Sequence, residues 1–328
     1  MAVLVTGGAG YIGSHMVLEL VDAGEKVVIL DDLSTGFRWS VPQEAAFAAG
    51  DVGDKALVSR LIDEHGIDSI MHFAAKIVVP ESVTDPLAYY FNNTVKSRAL
   101  IETAVTRGIR NFVFSSTAAV YGNAEAPLLT EDMPLAPINP YGRSKLMSEW
   151  MLQDAHHAHG LRYAILRYFN VAGADPKGRS GQSTPQATHL IKVAAQAALG
   201  QRPHLDVFGT DYATPDGTCV RDYIQVNDLA RAHLAALRHL RGGGDCTVMN
   251  CGYGHGASVL DVIKVVKDVS GVDFEVRLGP RRPGDPAQLV ARVDRIRGLG
   301  WEPQHDDLAA IVDQALRWER TLAARKAA

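Results

Sequence analysis

Residues 5–15 read VTGGAGYIGSH and follow directly on the apolar run Ala2–Val5. Glycine weakens a regular element by up to ~1 kcal/mol relative to alanine. Gly7, Gly10 and Gly13 must therefore serve a backbone need that other residues cannot meet. Between a strand and a helix that need is specific. Gly7 permits a tight turn, Gly10 lets a pyrophosphate approach the main chain, and Gly13 lets helix and strand pack closely. The helix that follows, Ile12–Ala23, aims unpaired N–H groups and a positive dipole end at the phosphates. The bland alternative is a glycine-rich turn, and the position at the first strand–helix junction favours a dinucleotide.

Working outward, short β-branched runs alternate with longer helical patterns. Ala2–Val5, Lys26–Leu30, Ser69–Phe73, Asn111–Ser115 and Arg162–Arg167 read as buried strands of a parallel sheet. Ile12–Ala23, Ala56–His65, Pro86–Arg107 and Pro140–His159 read as amphipathic helices between them. This alternation predicts an α/β, Rossmann-type doubly wound parallel sheet. After Asn170 the pattern loosens, and AGADPKGRSGQSTP (172–185) marks a boundary or a substrate-covering loop. Residues 226–240 return to helix and CTVMNCG to strand, before an amphipathic last helix near Asp306–Ala324. We therefore expect a dinucleotide-binding domain from residues 1–173 plus 222–251. A smaller α+β substrate-binding lobe is expected from 174–221 plus 252–328.

Length and composition agree with a two-domain globular protein: 328 residues, 47% hydrophobic and 21% charged. A formal net charge of -4 gives no electrostatic reason to expect nucleic acid or an anionic membrane. No apolar run reaches the ~20 residues that span a bilayer, and no charged segment precedes the first apolar residues. With a strand already starting at Ala2, no presequence is expected. Cys219, Cys246 and Cys251 have no Cys-x-x-Cys spacing, which argues against a disulfide framework or a zinc site and for a reducing cytoplasm. HHAH (156–159) splays over different helix faces and reads as a solvated helix end, so no metal is expected.

Asp31 and Asp32 stand just after the second strand. An acid there accepts from ribose hydroxyls and repels a 2′-phosphate, which favours NAD over NADP. For Asp32 a turn cap is an equal alternative. Asp51-Val52 can bracket the adenine, though the dipeptide GD at Gly50-Asp51 also reads as a turn. In YGRSK (141–145), Tyr141 and Lys145 lie one helical turn apart on one face. A tyrosine near pKa 10 is a poor base at neutral pH, and an ammonium beside it favours the phenolate. The pair alone is common on surfaces. Here it follows FSSTAAVYG, whose strand end offers Thr117 as a hydroxyl at the same site.

The ordered segments VTGGAGYIGSH, HFAA, PESV, YYFNNT, FSSTAAVYG, PYGRSK, LRYFNVAGA, DGTCVRDYIQVNDLA and RRPGDPA resemble the extended short-chain dehydrogenase/reductase family, and within it the nucleotide-sugar 4-epimerases. The resemblance covers nearly the whole chain. It implies Thr117, Tyr141 and Lys145 as catalytic residues. It implies cofactor contacts at Tyr11, Ile12, Asp31, Asp51, Val52, Phe73, Ala74, Ala75, Asn92, Lys145 and Tyr168. Nucleotide-sugar contacts map onto Asn170, Leu190, Val207, Phe208, Arg221, Arg282 and Asp285. The implied reaction interconverts UDP-glucose and UDP-galactose with retained NAD, and the implied assembly is a homodimer, through Pro86–Arg107 and Pro140–His159. The forked donors of Arg221 and Arg282 suit a diphosphate, and Asp285 suits ribose hydroxyls; surface ion pairing is the plain alternative.

The chain departs from the family at four places. Thr117 replaces the usual serine and keeps the hydroxyl. A family lysine that reaches the cofactor phosphates falls on Ile77, with Lys76 one residue early, which leaves a phosphate role for Lys76 open. His189 stands where many members have an asparagine, leaving its uracil contact open. Leu289 stands where a tyrosine excludes N-acetyl sugars, so activity on UDP-N-acetylglucosamine is an alternative; its plain role is an apolar strand residue in QLVARV. Related dehydratases carry an Asp-Glu pair right after the catalytic Thr, here Ala118 and Ala119, which disfavours elimination. A non-catalytic NAD-binding regulator would tolerate loss of Thr117, Tyr141 or Lys145, and all three are present.

Overall fold

The computed structural model describes residues 2–124, 126–184, 187–282 and 285–327. Two stretches singled out above, 172–185 and RRPGDPA, therefore fall partly outside the described residues.

Seven parallel strands form the central sheet: β1 (Ala2–Thr6), β2 (Lys26–Asp31), β3 (Ala46–Ala49), β4 (Ile67–His72), β5 (Asn111–Ser115), β6 (Arg162–Tyr168) and, later in the chain, Thr247–Cys251. Between them run α1 (Tyr11–Asp22), α2 (Lys55–His65), α3 (Val79–Thr84), α4 (Pro86–Tyr89), α5 (Lys96–Thr106) and α6 (Pro140–His159). A wide-turn π segment, Tyr90–Val95, joins α4 to α5. The second half adds β7 (Asn170–Ala172), α7 (Leu190–Ala198), β8 (Leu205–Phe208), β9 (Val220–Arg221), β10 (Tyr223–Gln225) and α8 (Val226–Arg241). The strand Thr247–Cys251 is β11, followed by β12 (Ala257–Ser258), α9 (Val259–Ser270), β13 (Val276–Gly279), β14 (Gln288–Leu289), α10 (Asp294–Arg297) and α11 (Leu308–Ala327).

Side chains alternate across each strand, so each strand feeds two cores. Val3, Val5, Ile29, Met71, Val113 and Leu166 face α1 and α8. Ala2, Leu4, Leu30, Ile70, Phe112 and Ile165 face α2, α5 and α6. Burial on both faces explains why the strands read as continuous apolar runs. The strand order is β11-β6-β5-β4-β1-β2-β3, so the winding reverses between β1 and β4. In open α/β sheets the crevice at such a switch point is where ligands bind. The β1–α1 loop and residues 73–76 after β4 meet there.

The remaining elements flank the sheet's carboxyl edge. β10 pairs with β7 in parallel, Tyr223 opposite Asn170, which returns the chain to the sheet before α8. Helices α7, α9 and α11 bury Ile191, Val262, Ile263, Ile311 and Leu316 in the same apolar cluster that underlies α1 and α8. Two short ribbons, β12-β9-β14 and β13-β8, complete this part. Among the described residues no helix is long and apolar enough to cross a membrane.

The bounds of β5 and α6 are those read from the sequence. β4 instead begins two residues earlier, at Ile67, and ends at His72. The single helix expected over 86–107 is α4, the π segment and α5, and it is preceded by α3, where Pro80 sits in the first turn. Widened turns of this kind are rare and concentrate at functional sites.

Candidate functional site

Gly7 has φ +71, and a Cβ on it would lie 2.6 Å from the Ala74 nitrogen. A side chain on Gly13 would run into the Gly7 carbonyl. By contrast, a Cβ on Gly10 would meet only the Gly7 carbonyl oxygen, at 3.3 Å. The loop is thus closed on two sides and open on the third. Gly10 caps α1 without a side chain, which leaves the first-turn N–H groups to an anion. This cradle, formed by the residue types a dinucleotide diphosphate requires, fits the cofactor.

The loop is clasped from β2. Asp31, 6% exposed, accepts from Ala9 N at 2.9 Å and from Leu33 N at 2.8 Å. Burial pushes its carboxyl above the ordinary value against these two donors. Asp32 is exposed and accepts from the main chain and hydroxyl of Ser34 (2.9 and 2.6 Å), which is a turn-capping arrangement. Leu33, with φ 59, and Gly36, packed against Ala9 and Asp31, shape this corner; neither was singled out from the sequence. Asp51 accepts from Gly53 N at 2.7 Å and pairs with Lys96, while the Val52 side chain lies in the core.

On the far side of the switch point, Phe73 N donates to Thr6 O at 3.0 Å and the Phe73 ring packs on His233, 4.9 Å between centroids. Ala74 and Ala75 are half-buried beside the glycine loop. Asn92 lies in the π segment and donates to Asn93 Oδ1 at 3.0 Å. Asn93 was not anticipated, yet its amide clamps both main-chain groups of Lys76 at 2.9 Å and donates to Ser144 Oγ at 3.1 Å. Lys76 itself pairs with Glu81 at 3.0 Å.

The chemistry gathers at the end of β5. Asn139 caps α6 by accepting from Gly142 N at 2.9 Å, and Pro140 fills the first helical position. Gly142 sits against the Ala119 carbonyl, which draws the helix start onto the turn after Thr117. Burial pushes the Tyr141 phenol up, and the Thr117 hydroxyl beside it works in the other direction. Burial lowers the buried Lys145 to about 7, opposed by the charge of Glu149 one turn further on. The Lys145 ammonium donates to Ser115 O at 2.8 Å, and the Ser115 hydroxyl bonds Tyr168 at 2.7 Å. Beneath them Glu149 takes two nitrogens of Arg167 and the Ser116 hydroxyl.

The candidate substrate residues fall into three groups. Arg221 and Leu289 pair across β9 and β14, with Arg221 Nη2 3.9 Å from Asp285. Arg282 stacks on Phe208, its guanidinium carbon 3.8 Å from the ring centre. Val207 is 1% exposed, so it can offer only its main chain. Asn170, His189 and Leu190 line a cleft that also reaches Tyr11 and the α11 residue Trp318. His189 sits at the start of α7, its pKa lowered to about 4 by burial and by the Lys192 charge. Asn170 N donates to Asp222 O, and the buried Asp222 carboxylate holds Tyr253, Gly254 and Ala291, which ties the first group to the second half of the sheet edge.

A doubly wound sheet with a glycine loop at its switch point, and a Tyr/Lys pair one turn apart over the end of a central strand, defines a dinucleotide-dependent enzyme of the short-chain type. The sequence pattern of the NAD dependent epimerase/dehydratase family matches residues 3–252. The chain belongs to that family, and NAD is its cofactor. It is 60% identical over 321 residues to a UDP-glucose 4-epimerase of Azospirillum brasilense, covering 98% of this chain and 92% of that one. The UDP-glucose 4-epimerase from Brucella ovis, solved in complex with NAD, superposes with a TM-score of 0.94 at 41% identity over 96% and 97% of the two chains. The UDP-Glc/GlcNAc 4-epimerase of Campylobacter jejuni gives a TM-score of 0.86 at 49% identity over 98% and 99%.

Proposed function

We propose that the protein is a UDP-glucose 4-epimerase that interconverts UDP-galactose and UDP-glucose through a 4-keto sugar. The observation that carries this reading is the meeting of the Tyr141 phenol, the Thr117 hydroxyl and the Lys145 ammonium at the end of β5, with Ala118 and Ala119 in the next two positions. That set can move one proton to and from a sugar hydroxyl and lacks the carboxylates an elimination needs. Relatives of the same name at up to 60% identity support it.

Tyr141 Oη takes the proton of the sugar C4 hydroxyl while Thr117 holds the same oxygen by a hydrogen bond. The Lys145 ammonium, anchored on Ser115 O, supplies positive charge one turn away and offsets the cost of a buried phenolate. Bound NAD, held by the glycine loop, Asp31 and residues 73–75, supplies the hydride acceptor and donor for C4. Arg221 and Arg282 hold the diphosphate as a pivot, so the 4-keto sugar can turn its other face before Tyr141 returns the proton. Incubating the purified protein with UDP-galactose, and separately with UDP-glucose, tests this: both should reach one equilibrium mixture. Absence of interconversion by NAD-loaded protein refutes it.

Leu289 favours a second substrate. It is smaller than the tyrosine that restricts some relatives, and the Campylobacter jejuni relative is described as a UDP-Glc/GlcNAc 4-epimerase. We also assign residues 1–173 with 222–251 to dinucleotide binding and 174–221 with 252–328 to the nucleotide sugar, supported by the return of β10, α8 and β11 to the sheet. A second copy of this chain is assigned to the face of α4–α5 and α6, which exposes Leu87 (76%), Phe91 (58%) and Trp150 (52%). The reducing cytoplasm suits Cys219, Cys246 and Cys251, all free thiols.

A further inference from the structure

We propose that Trp39, Trp318 and Arg325 form a clasp that retains the bound dinucleotide, a positioning element at the rim of the glycine loop. Three segments far apart in sequence converge to build it. The first leaves β2 and folds back on the glycine loop, where Phe37 N and Ser40 Oγ both donate to Ala9 O at 3.0 and 2.9 Å. This brings Trp39 to the wall of a small cleft beside the glycine loop. The cleft runs from Gly10, just before α1, and Thr35, after β2, to Ser180, Ser183 and Thr184, so main chain and hydroxyls line it beside the Phe37 and Trp39 rings.

The second segment is 180–184, held to the third, α11, through Trp318. The Trp318 indole donates to Ser183 Oγ at 3.2 Å, and Gly181 lies directly under its ring. Trp318 and Trp39 pack at a tilt of 37° with ring centroids 6.0 Å apart, and Phe37 extends the row at 5.1 Å from Trp39. Arg325 covers both indoles, its guanidinium carbon 4.3 Å from the Trp39 ring centre and 5.6 Å from that of Trp318. A solvent-facing indole, 41% exposed in Trp39, under a stacked guanidinium closes the rim with a weak cation–π contact. Opening it is cheap enough for exchange and costly enough to slow it. An enzyme whose cofactor is reduced and reoxidised within one turnover has to hold it in between. The inference rests on the NAD dependence of the family and on no particular sugar.

The test uses NAD-loaded protein with no sugar present. Unlabelled bound nucleotide is chased with excess isotopically labelled NAD, and its loss from the protein is timed. Trp39→Ala and Arg325→Ala should each speed release about fivefold or more, the factor that close to 1 kcal/mol predicts. Trp39→Phe, which keeps a ring for the guanidinium, should stay within twofold of the parent rate. Arg317→Ala removes a charge from the same helix, where Arg317 pairs with Asp313, and should leave release unchanged. Unchanged release in both Trp39→Ala and Arg325→Ala, or an equal rise in Arg317→Ala, overturns the clasp. Neither result bears on whether UDP-sugars are interconverted, which is read separately.

Discussion

The Lys145 ammonium donates to the main-chain carbonyl of Ser115 at 2.8 Å, joining the helix that carries Tyr141 to the end of the central strand. The anchor fixes the direction of the charge, which a surface Tyr/Lys pair lacks. The proposed reaction has Tyr141 exchange the proton. Tyr141→Phe should keep NAD and UDP-sugar binding and cut turnover by ~10²-fold or more, the usual scale for lost acid–base catalysis. Steady-state turnover matching the parent would remove Tyr141 from that role.

Asp31 carries two duties, and one substitution bears on both. Its carboxylate holds Ala9 N and Leu33 N, and its negative charge stands where a 2′-phosphate would approach. Asp31→Asn keeps one acceptor oxygen and removes the charge. Titration of nucleotide-free protein should show weaker NAD binding and a smaller NAD-over-NADP preference. An unchanged ratio would show that Asp31 acts on the loop alone.

Much of the site was legible because chemistry demands particular residue types at fixed spacings. Gly7, Gly10 and Gly13 stand out by what they lack, and Tyr141 and Lys145 by a four-residue step. The parallel strands were legible because burial on both faces leaves nothing polar before Thr6 in β1 or in the middle of β5. Ser115, Asn93 and Leu33 were not. Ser115 works through its carbonyl, which no sequence displays, and Asn93 through contacts with Lys76 and Ser144. Helix α3 was hidden because IVVPES reads as an apolar run stopped by proline, whereas Pro80 lies in a first turn, where its missing N–H costs nothing. Packing of Trp318 on Trp39 joins residues whose separation leaves no local pattern.

Three buried histidines and the half-buried His189 set the response to acid. Burial lowers His15, His189 and His233 to about 4 and His72 to about 3. Each is neutral in the folded protein, while in the unfolded chain it takes a proton near pH 6.5. Their stabilising contribution is whole above pH 6.5 and falls away as the pH drops from there towards 4. Each can contribute a slope of up to about 1.4 kcal/mol per pH unit. Urea midpoints should fall steeply between pH 6.5 and 4.5. His15→Gln, which can still bond Tyr11 O, should flatten that slope. A slope equal to the parent's would show that His15 is not among the groups responsible.

The face of α4–α5 and α6 exposes Leu87, Phe91, Val95 and Trp150. Apolar area of this kind drives association, and a charge at its centre opposes it. Trp150→Asp and Phe91→Asp should shift the protein to monomer in sedimentation velocity while its melting transition stays cooperative. Should the parent itself sediment as a monomer at micromolar concentration, the face has no second copy of this chain as its partner.

The proposed second substrate turns on Leu289. On β14 it lies opposite Arg221 of β9, and its side chain packs beside the cluster of Val120, Tyr121 and Leu146 that follows Thr117. It thus links the turn after Thr117 to the strand carrying Arg221. A tyrosine at this position would extend its ring into the space that a C2 N-acetyl group needs, and glucose or galactose, with a hydroxyl at C2, would escape the clash. Leucine leaves intermediate room. The expected behaviour is UDP-glucose and UDP-galactose as the main pair, with measurable activity on UDP-N-acetylglucosamine. Leu289→Tyr should suppress the N-acetyl activity selectively, because a steric clash acts against one substrate and spares the other. The deciding quantity is the ratio of kcat/KM for UDP-N-acetylglucosamine to that for UDP-glucose in both proteins. A fall of about tenfold would correspond to roughly 1.4 kcal/mol of discrimination, within reach of one misfitting group in a pocket. If the ratio does not move, the Leu289 side chain serves the apolar cluster alone, and sugar size is set elsewhere.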